Sequence, residues 1–257
     1  MNAPLTERAD RVAAAIKLQR PAERRRAARF LAEGPNLVES ALRRGLVSEV
    51  FVTADAEQRF RSLLGDTPTY LVTDKAAKAL SDTVTPVGLV AVCRIPEVTL
   101  AEVLQQPRLV AVAVETSDPG NAGTLIRLAD AMGADALILA GNSVDPYNAK
   151  CLRSSAGSIF SVPVLSAPDT GEMITQLVHA ELVVMATTLD GERSLADLDL
   201  AVPTAWLFGS EAHGLPAEVA AAADVRVTIP MAGGAESLNV AAAAAICLYQ
   251  SSRAHSS

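Results

Sequence analysis

Three stretches concentrate small, polar and charged residues beyond what ordinary turns need: DPGNAGTLIRLADAMGA from Asp118, LFGSEAHGL from Leu207 and IPMAGGAESLNV from Ile229. In the first, Gly120 and Gly123 bracket Asn121, and Arg127 follows where its fork of donors would grip a phosphate or carboxylate. In the other two, Gly209, Gly214, Gly233 and Gly234 give backbone that takes positive φ or lies flush against a ligand. Ser237 and Asn239 stand at the mouth of an alanine-rich helix, whose first-turn N–H groups want acceptors. Each feature has a structural alternative. Ser237 is then a helix N-cap, the glycines only shape loops, and Arg127 pairs with Glu115 or Asp130.

Other chemistries lack their residues. There is no GxGxxG, no GxxxxGK(S/T), no HExxH and no GxSxG. Of three histidines, His255 lies in the tail, and His213 sits beside Glu211 in a loop that suits a positional or solvent-facing role. The remaining set of arginine, glutamate, serine, asparagine and backbone favours positioning over covalent or metal catalysis, so no metal is expected.

These groups need strand ends and helix starts to hold them. Residues 3–28 read as helical, with Val12, Ile16 and Leu18 near one face and the Arg24, Arg25, Arg26 run exposed. Helices are predicted at 36–44, 56–64 and 74–80, and strands at 46–53, 69–72 and 87–93, a small α/β module. A linker at 96–107 follows. The second part opens with the apolar run 109–114, a helix at 124–132 and a strand at 136–140. Further strands are expected at 161–165, 182–188, 205–208 and 225–229, with helices between most of them, which implies a mostly parallel sheet. Loops beyond the carboxyl ends of such strands converge on one pocket.

The net charge of −7 is unevenly spread. Residues 1–30 hold eight basic side chains against three acidic, a basic arm suited to a polyanion partner or, more simply, a solvated helix. No stretch approaches the roughly 20 apolar residues of a membrane span, and without a charged n-region followed by an apolar h-region at the start secretion is not expected. Cys93, Cys151 and Cys247 are scattered, as expected of buried thiols in a reducing cytoplasm.

Together, NAGTLIRLADAMGA, LFGSEAHGL and IPMAGGAESLNVAAAAAICLY resemble, in order and spacing, the three motifs of the SpoU (TrmH) RNA 2′-O-ribose methyltransferases of the SPOUT superfamily. The segment from FLAEGPNLVESALRRGLVSEVFVT to LSDTVTPVGLVAVC resembles the L30e-like substrate-binding domain that often precedes this fold. The layout is most similar to the thiostrepton-resistance branch, whose members modify large-subunit rRNA. The resemblance implies a basic arm (1–28), an L30e-like domain (29–95), a linker (96–107) and a methyltransferase domain (108–257) with a trefoil knot. It also implies bound S-adenosylmethionine and a homodimer. Backbone around Thr187, Leu207, Gly209, Ile229, Met231 and Leu238 would hold the cofactor. Arg127 would be the catalytic arginine, with Glu211, Ser237 and Asn239 shaping or assisting the site. Arg153, in CLRSSAGSIFSVPV, would touch RNA or pair across the dimer. The arm would meet RNA through Arg24, Arg25 and Arg26. tRNA is the alternative substrate, although that branch generally lacks the L30e-like module. A catalytically silent RNA-binding or ribosome-assembly factor is the alternative of another class.

Overall fold

The computed structural model describes residues 3–256; the first two residues of the expected arm and the last of the expected methyltransferase domain lie outside them. The chain forms two compact units, one running to Glu97 and taking in Tyr147–Phe160, the other comprising Val98–Pro146 and the chain from Ser161 on.

The first unit alternates α1 (Asp10–Lys17), α2 (Pro21–Ala27), β1 (Arg29–Glu33), α3 (Pro35–Arg43), β2 (Val47–Val52), α4 (Ala54–Leu64), β3 (Thr69–Leu71), α5 (Asp74–Leu80) and β4 (Leu89–Arg94). Its sheet has the order β1-β4-β2-β3, antiparallel except for β2 with β3. Thr53 and Thr73 begin α4 and α5 by accepting from Ala56 N and Ala76 N, the usual work of a threonine N-cap.

The segment expected to be a single exposed helical arm is neither continuous nor separate. Pro21 forces Arg20 into extended backbone, so α1 and α2 are distinct helices. Val12, Ala15 and Leu18 are buried with Phe51, Val72, Ala76, Leu80, Val90 and Val92, and Leu5 bonds through its backbone to Leu71 and Thr73. Lys75 Nζ donates to Glu7 at 2.6 Å and holds that carboxyl below its ordinary value. Strand β1, absent from the sequence-based expectation, is an edge strand against β4.

In the second unit, α6 (Leu100–Val103) precedes β5 (Leu109–Val114), α7 (Pro119–Ala131) and β6 (Ala136–Ala140). Helix α8 (Ala149–Ser155) then belongs to the first unit. The chain continues through β7 (Val164–Ala167), α9 (Thr170–His179), β8 (Val183–Thr187), β9 (Arg193–Ser194), β10 (Thr204–Phe208), α10 (Ala217–Ala221), β11 (Val225–Thr228) and α11 (Val240–His255). The seven strands run β7-β6-β5-β10-β8-β11-β9, every neighbouring pair parallel. Strands β5, β6 and β10 are buried at every position, as the apolar runs implied. Val110, Val112, Val184, Ala205 and Leu207 face Met173, Leu177 and Val219 from α9 and α10. Alternation sends Trp206 to the other face, where its indole N–H donates to Ser251 of α11 at 2.9 Å.

The expected boundary at 108 leaves Tyr147–Phe160 unaccounted for, since these residues pack with the first unit. The rings of Tyr147 and Phe160 lie 4.7 and 6.1 Å from that of Phe30, which ties the excursion to β1.

Candidate active site

The carboxyl ends of β8, β10 and β11 release three loops that enclose a cleft of about 720 Å³, within the range of small-molecule sites. Its walls carry Thr187, Gly209, Glu211, Ile229, Met231, Ser237 and Leu238 from among the residues singled out in the sequence. Leu207 lies behind the wall, fully buried, and its carbonyl accepts from Thr187 Oγ1 at 3.0 Å.

The loop after β10 folds back on itself. Ser210 N donates to Gly214 O at 3.1 Å and Gly214 N to Ser210 O at 2.8 Å, with Gly214 at φ 68°. A Cβ on Gly209 would lie 2.1 Å from the Gly214 carbonyl carbon, so glycine is required here by backbone, not by ligand. Gly233 and Gly234 carry neither a positive φ nor a close neighbour.

The stretch after β5 is not a loop, contrary to expectation. Asp118 accepts from Asn121 N at 3.0 Å with Pro119 at the first helical position, so α7 starts five residues early and Gly120, Asn121 and Gly123 are helical. Arg127 therefore stands in the third turn, exposed, and among the described residues it makes no hydrogen bond or ion pair with Glu115, Asp130 or any other group. Asn121 Nδ2 donates to Glu211 Oε1, joining α7 to the cleft loop across 90 residues of chain. Asn239, not Ser237, caps α11: its Oδ1 accepts from Ala241 N at 2.9 Å.

Several residues of the cleft escaped the sequence reading. Thr188 Oγ1 is buried there without a hydrogen-bond partner among the described residues. Arg226 lines the cleft with its guanidinium 3.6 Å from Glu192 and 3.9 Å from Asp190. Mixed apolar walls, exposed backbone and this orphan hydroxyl suit an adenosine with an amino-acid tail. Burial pushes the Cys93 and Cys247 thiols up to about 12, so neither is a ready nucleophile.

The arginines expected to meet RNA divide. Arg24 is buried, its Nη1 donating to Leu18 O and Gln19 O at the end of α1, which corrects the reading of an exposed triplet. Arg25 is exposed, and Arg26 is exposed and pairs with Glu23 at 2.5 Å. Arg153 pairs with Asp82 of the same unit at 3.1 Å.

Residues 108–249, which supply every wall of this cleft, match the SpoU rRNA Methylase family. The chain belongs to that family. Residues 9–91 match the MRM3-like substrate binding domain. The SpoU chain is 36% identical over 234 residues to the 23S rRNA (guanosine(2553)-2′-O)-methyltransferase RlmP of Bacillus subtilis, covering 91% of this chain and 92% of that one. Its fold matches the SpoU methyltransferase AviRb of Streptomyces viridochromogenes, crystallised with AdoMet, at a TM-score of 0.88 and 31% identity over 97% of this chain and 99% of that one. The A. aeolicus TrmH/SpoU tRNA modifying enzyme matches at a TM-score of 0.53 and 27% identity, over 60% of this chain and 79% of that one.

Proposed function

We propose that this SpoU chain transfers a methyl group from S-adenosylmethionine to a ribose 2′-hydroxyl of 23S rRNA. The observation that carries the reading is the cleft at the ends of β8, β10 and β11, lined by Thr187, Gly209, Ile229, Met231 and Leu238 together with Thr188, whose hydroxyl has no hydrogen-bond partner among the described residues. Support for rRNA over tRNA comes from the substrate-binding unit, shared along nearly the whole length of the 23S rRNA relative RlmP, whereas the tRNA modifying relative matches only 60% of the chain. The same reading includes a cytoplasmic homodimer and a knotted C-terminal chain.

S-adenosylmethionine supplies an electrophilic methyl on a sulfonium. The chain's own task is to hold that cation and bring the ribose oxygen into line, which is chiefly a matter of orientation. Backbone at Thr187, Gly209, Ile229, Met231 and Leu238, with the Leu207 carbonyl behind them, holds the cofactor. Asn121 fixes Glu211 and with it the wall after β10, while Asn239 starts α11 and sets the preceding loop, in which Ser237 lies. Among the described residues Arg127 has no competing partner, which leaves it available to a phosphate beside the reacting ribose. A guanidinium holds its protons too tightly to serve as a base, so its role is to clamp that phosphate and stabilise negative charge growing on the 2′ oxygen, while the hydroxyl proton passes to solvent water and the sulfonium leaves as the neutral thioether.

Transfer of labelled methyl to undermodified rRNA and to tRNA tests the reading. Wild type is expected to label rRNA, Arg127→Ala to lose nearly all transfer, and Arg127→Lys to fall well below wild type because the bidentate fork is gone. Labelling of tRNA alone would overturn the substrate. An absence of S-adenosylmethionine binding in calorimetry would favour the silent RNA-binding alternative.

A further inference from the structure

The two units differ in charge as well as in fold. The first holds 17 Arg and Lys against 12 Asp and Glu, the second 5 against 17. RNA therefore meets an electrostatic invitation in the first unit and repulsion in the second. Within the first unit, one end of the sheet gathers three arginines that make no ion pair among the described residues. Arg29 opens β1 and Arg94 closes β4, and the two are direct cross-strand partners. Residues so paired project from the same face with Cβ atoms about 5 Å apart, a like-charge arrangement that costs stability unless an anion lies between or over them.

The neighbouring strand adds to the cluster. Arg94 N donates to Leu46 O, and Arg94 Nη2 donates to Gly45 O at 2.9 Å, directing its guanidinium toward the turn that begins with Arg44. All three arginines are exposed. Arg43 pairs with Glu39, but Arg29 and Arg44 make no hydrogen bond or ion pair among the described residues. A solvated helix end accounts for a cation at Arg44, which caps α3, yet not for two facing arginines on adjacent strands. We infer that Arg29, Arg44 and Arg94 form a phosphate clamp at this end of the sheet, by which the substrate-binding unit grips the RNA sugar-phosphate backbone. Resting on the proposed RNA substrate, the clamp supplies affinity without reading bases, leaving sequence choice to other parts of the unit.

The test is the salt dependence of binding to a 23S rRNA fragment, measured by anisotropy for wild type, Arg29→Gln, Arg29→Gln/Arg94→Gln and Arg29→Lys/Arg94→Lys. Each lost phosphate contact should flatten the slope of log affinity against log salt by about 0.7–0.9, so the double glutamine variant loses about 1.4–1.8. The double lysine variant should keep the wild-type slope. S-adenosylmethionine affinity should be unchanged in all, and KM for RNA should rise in the glutamine variants while kcat holds. Arg29→Gln removes no side-chain hydrogen bond or ion pair among the described residues, so its shallower slope cannot be ascribed to misfolding. A wild-type slope in both glutamine variants would overturn the clamp while leaving methyl transfer intact. Arginine-dependent RNA binding without transfer to any RNA would instead keep the clamp and defeat the proposed reaction.

Discussion

A methyl group on Gly209 would sit 2.1 Å from the Gly214 carbonyl carbon and 2.2 Å from Leu215 N, both backbone atoms that no rotamer change can move away. Gly209→Ala must therefore open the Ser210–Gly214 bridge and shift the cleft wall that carries Glu211. The expected result is at least a tenfold loss of S-adenosylmethionine affinity, about 1.4 kcal/mol, by calorimetry, with RNA binding by the first unit retained. Unaltered cofactor affinity would mean that this wall does not hold the cofactor. Residue types at fixed spacing singled out Gly209 and Glu211, which the structure places in the cleft wall, and Arg127, which is not among the residues lining it. Contacts between distant residues were not legible: nothing local links Asn121 to Glu211. The choice of Asn239 over Ser237 as cap depended on where α11 begins, and the inward turn of Arg24 on a helix of 7 residues, too short to show a periodicity.

Helix α1 shows what pattern reading gains and loses at the level of elements. Its apolar stripe was visible, but a stripe does not name its partner, and the nearby arginines suggested a free arm. In the fold Leu18 is buried among residues of β2, β4 and α5, and Arg24 bonds to the carbonyl oxygens of Leu18 and Gln19. Leu18→Ala should thus destabilise the first unit by about 2–3 kcal/mol, seen as a lower urea midpoint, while S-adenosylmethionine affinity stays at the wild-type value. An unchanged midpoint would restore the solvated arm. Strands β5, β6 and β10 were legible because strands buried on both faces read as unbroken apolar runs. Edge strand β1 was hidden by its flanking Arg29 and Glu33, and the start of α7 by glycines that commonly signal a loop. The placement of Tyr147–Phe160 with the first unit depends on ring contacts to Phe30, more than a hundred residues away in the chain, which no local pattern encodes.

At the scale of the whole molecule, α11 leaves an apolar face that no other described residue covers. Val240, Ala244, Cys247, Leu248 and Ser251 are buried, and the helix packs on α7, β10 and β5. The opposite side presents Ala242, Ile246 and Tyr249 at i, i+4 and i+7, with Ile246 37% and Tyr249 51% exposed. A face meant for water on a 16-residue helix would carry several charges; this helix has Arg253 and a histidine near its end. Isoleucine and tyrosine on one stripe are what the core of an isologous interface uses, and two such helices crossing would bury both stripes. The proposed homodimer therefore predicts that Ile246→Glu/Tyr249→Glu sediments as a monomer at micromolar concentrations where wild type is a dimer. Both substituted positions face outward, so the monomer should keep its melting behaviour in urea apart from any concentration dependence. If the partner subunit completes the substrate site, methyl transfer falls together with dimerisation and does not recover at higher S-adenosylmethionine. Wild type sedimenting as a monomer would reject the interface and leave the exposed stripe to a different partner.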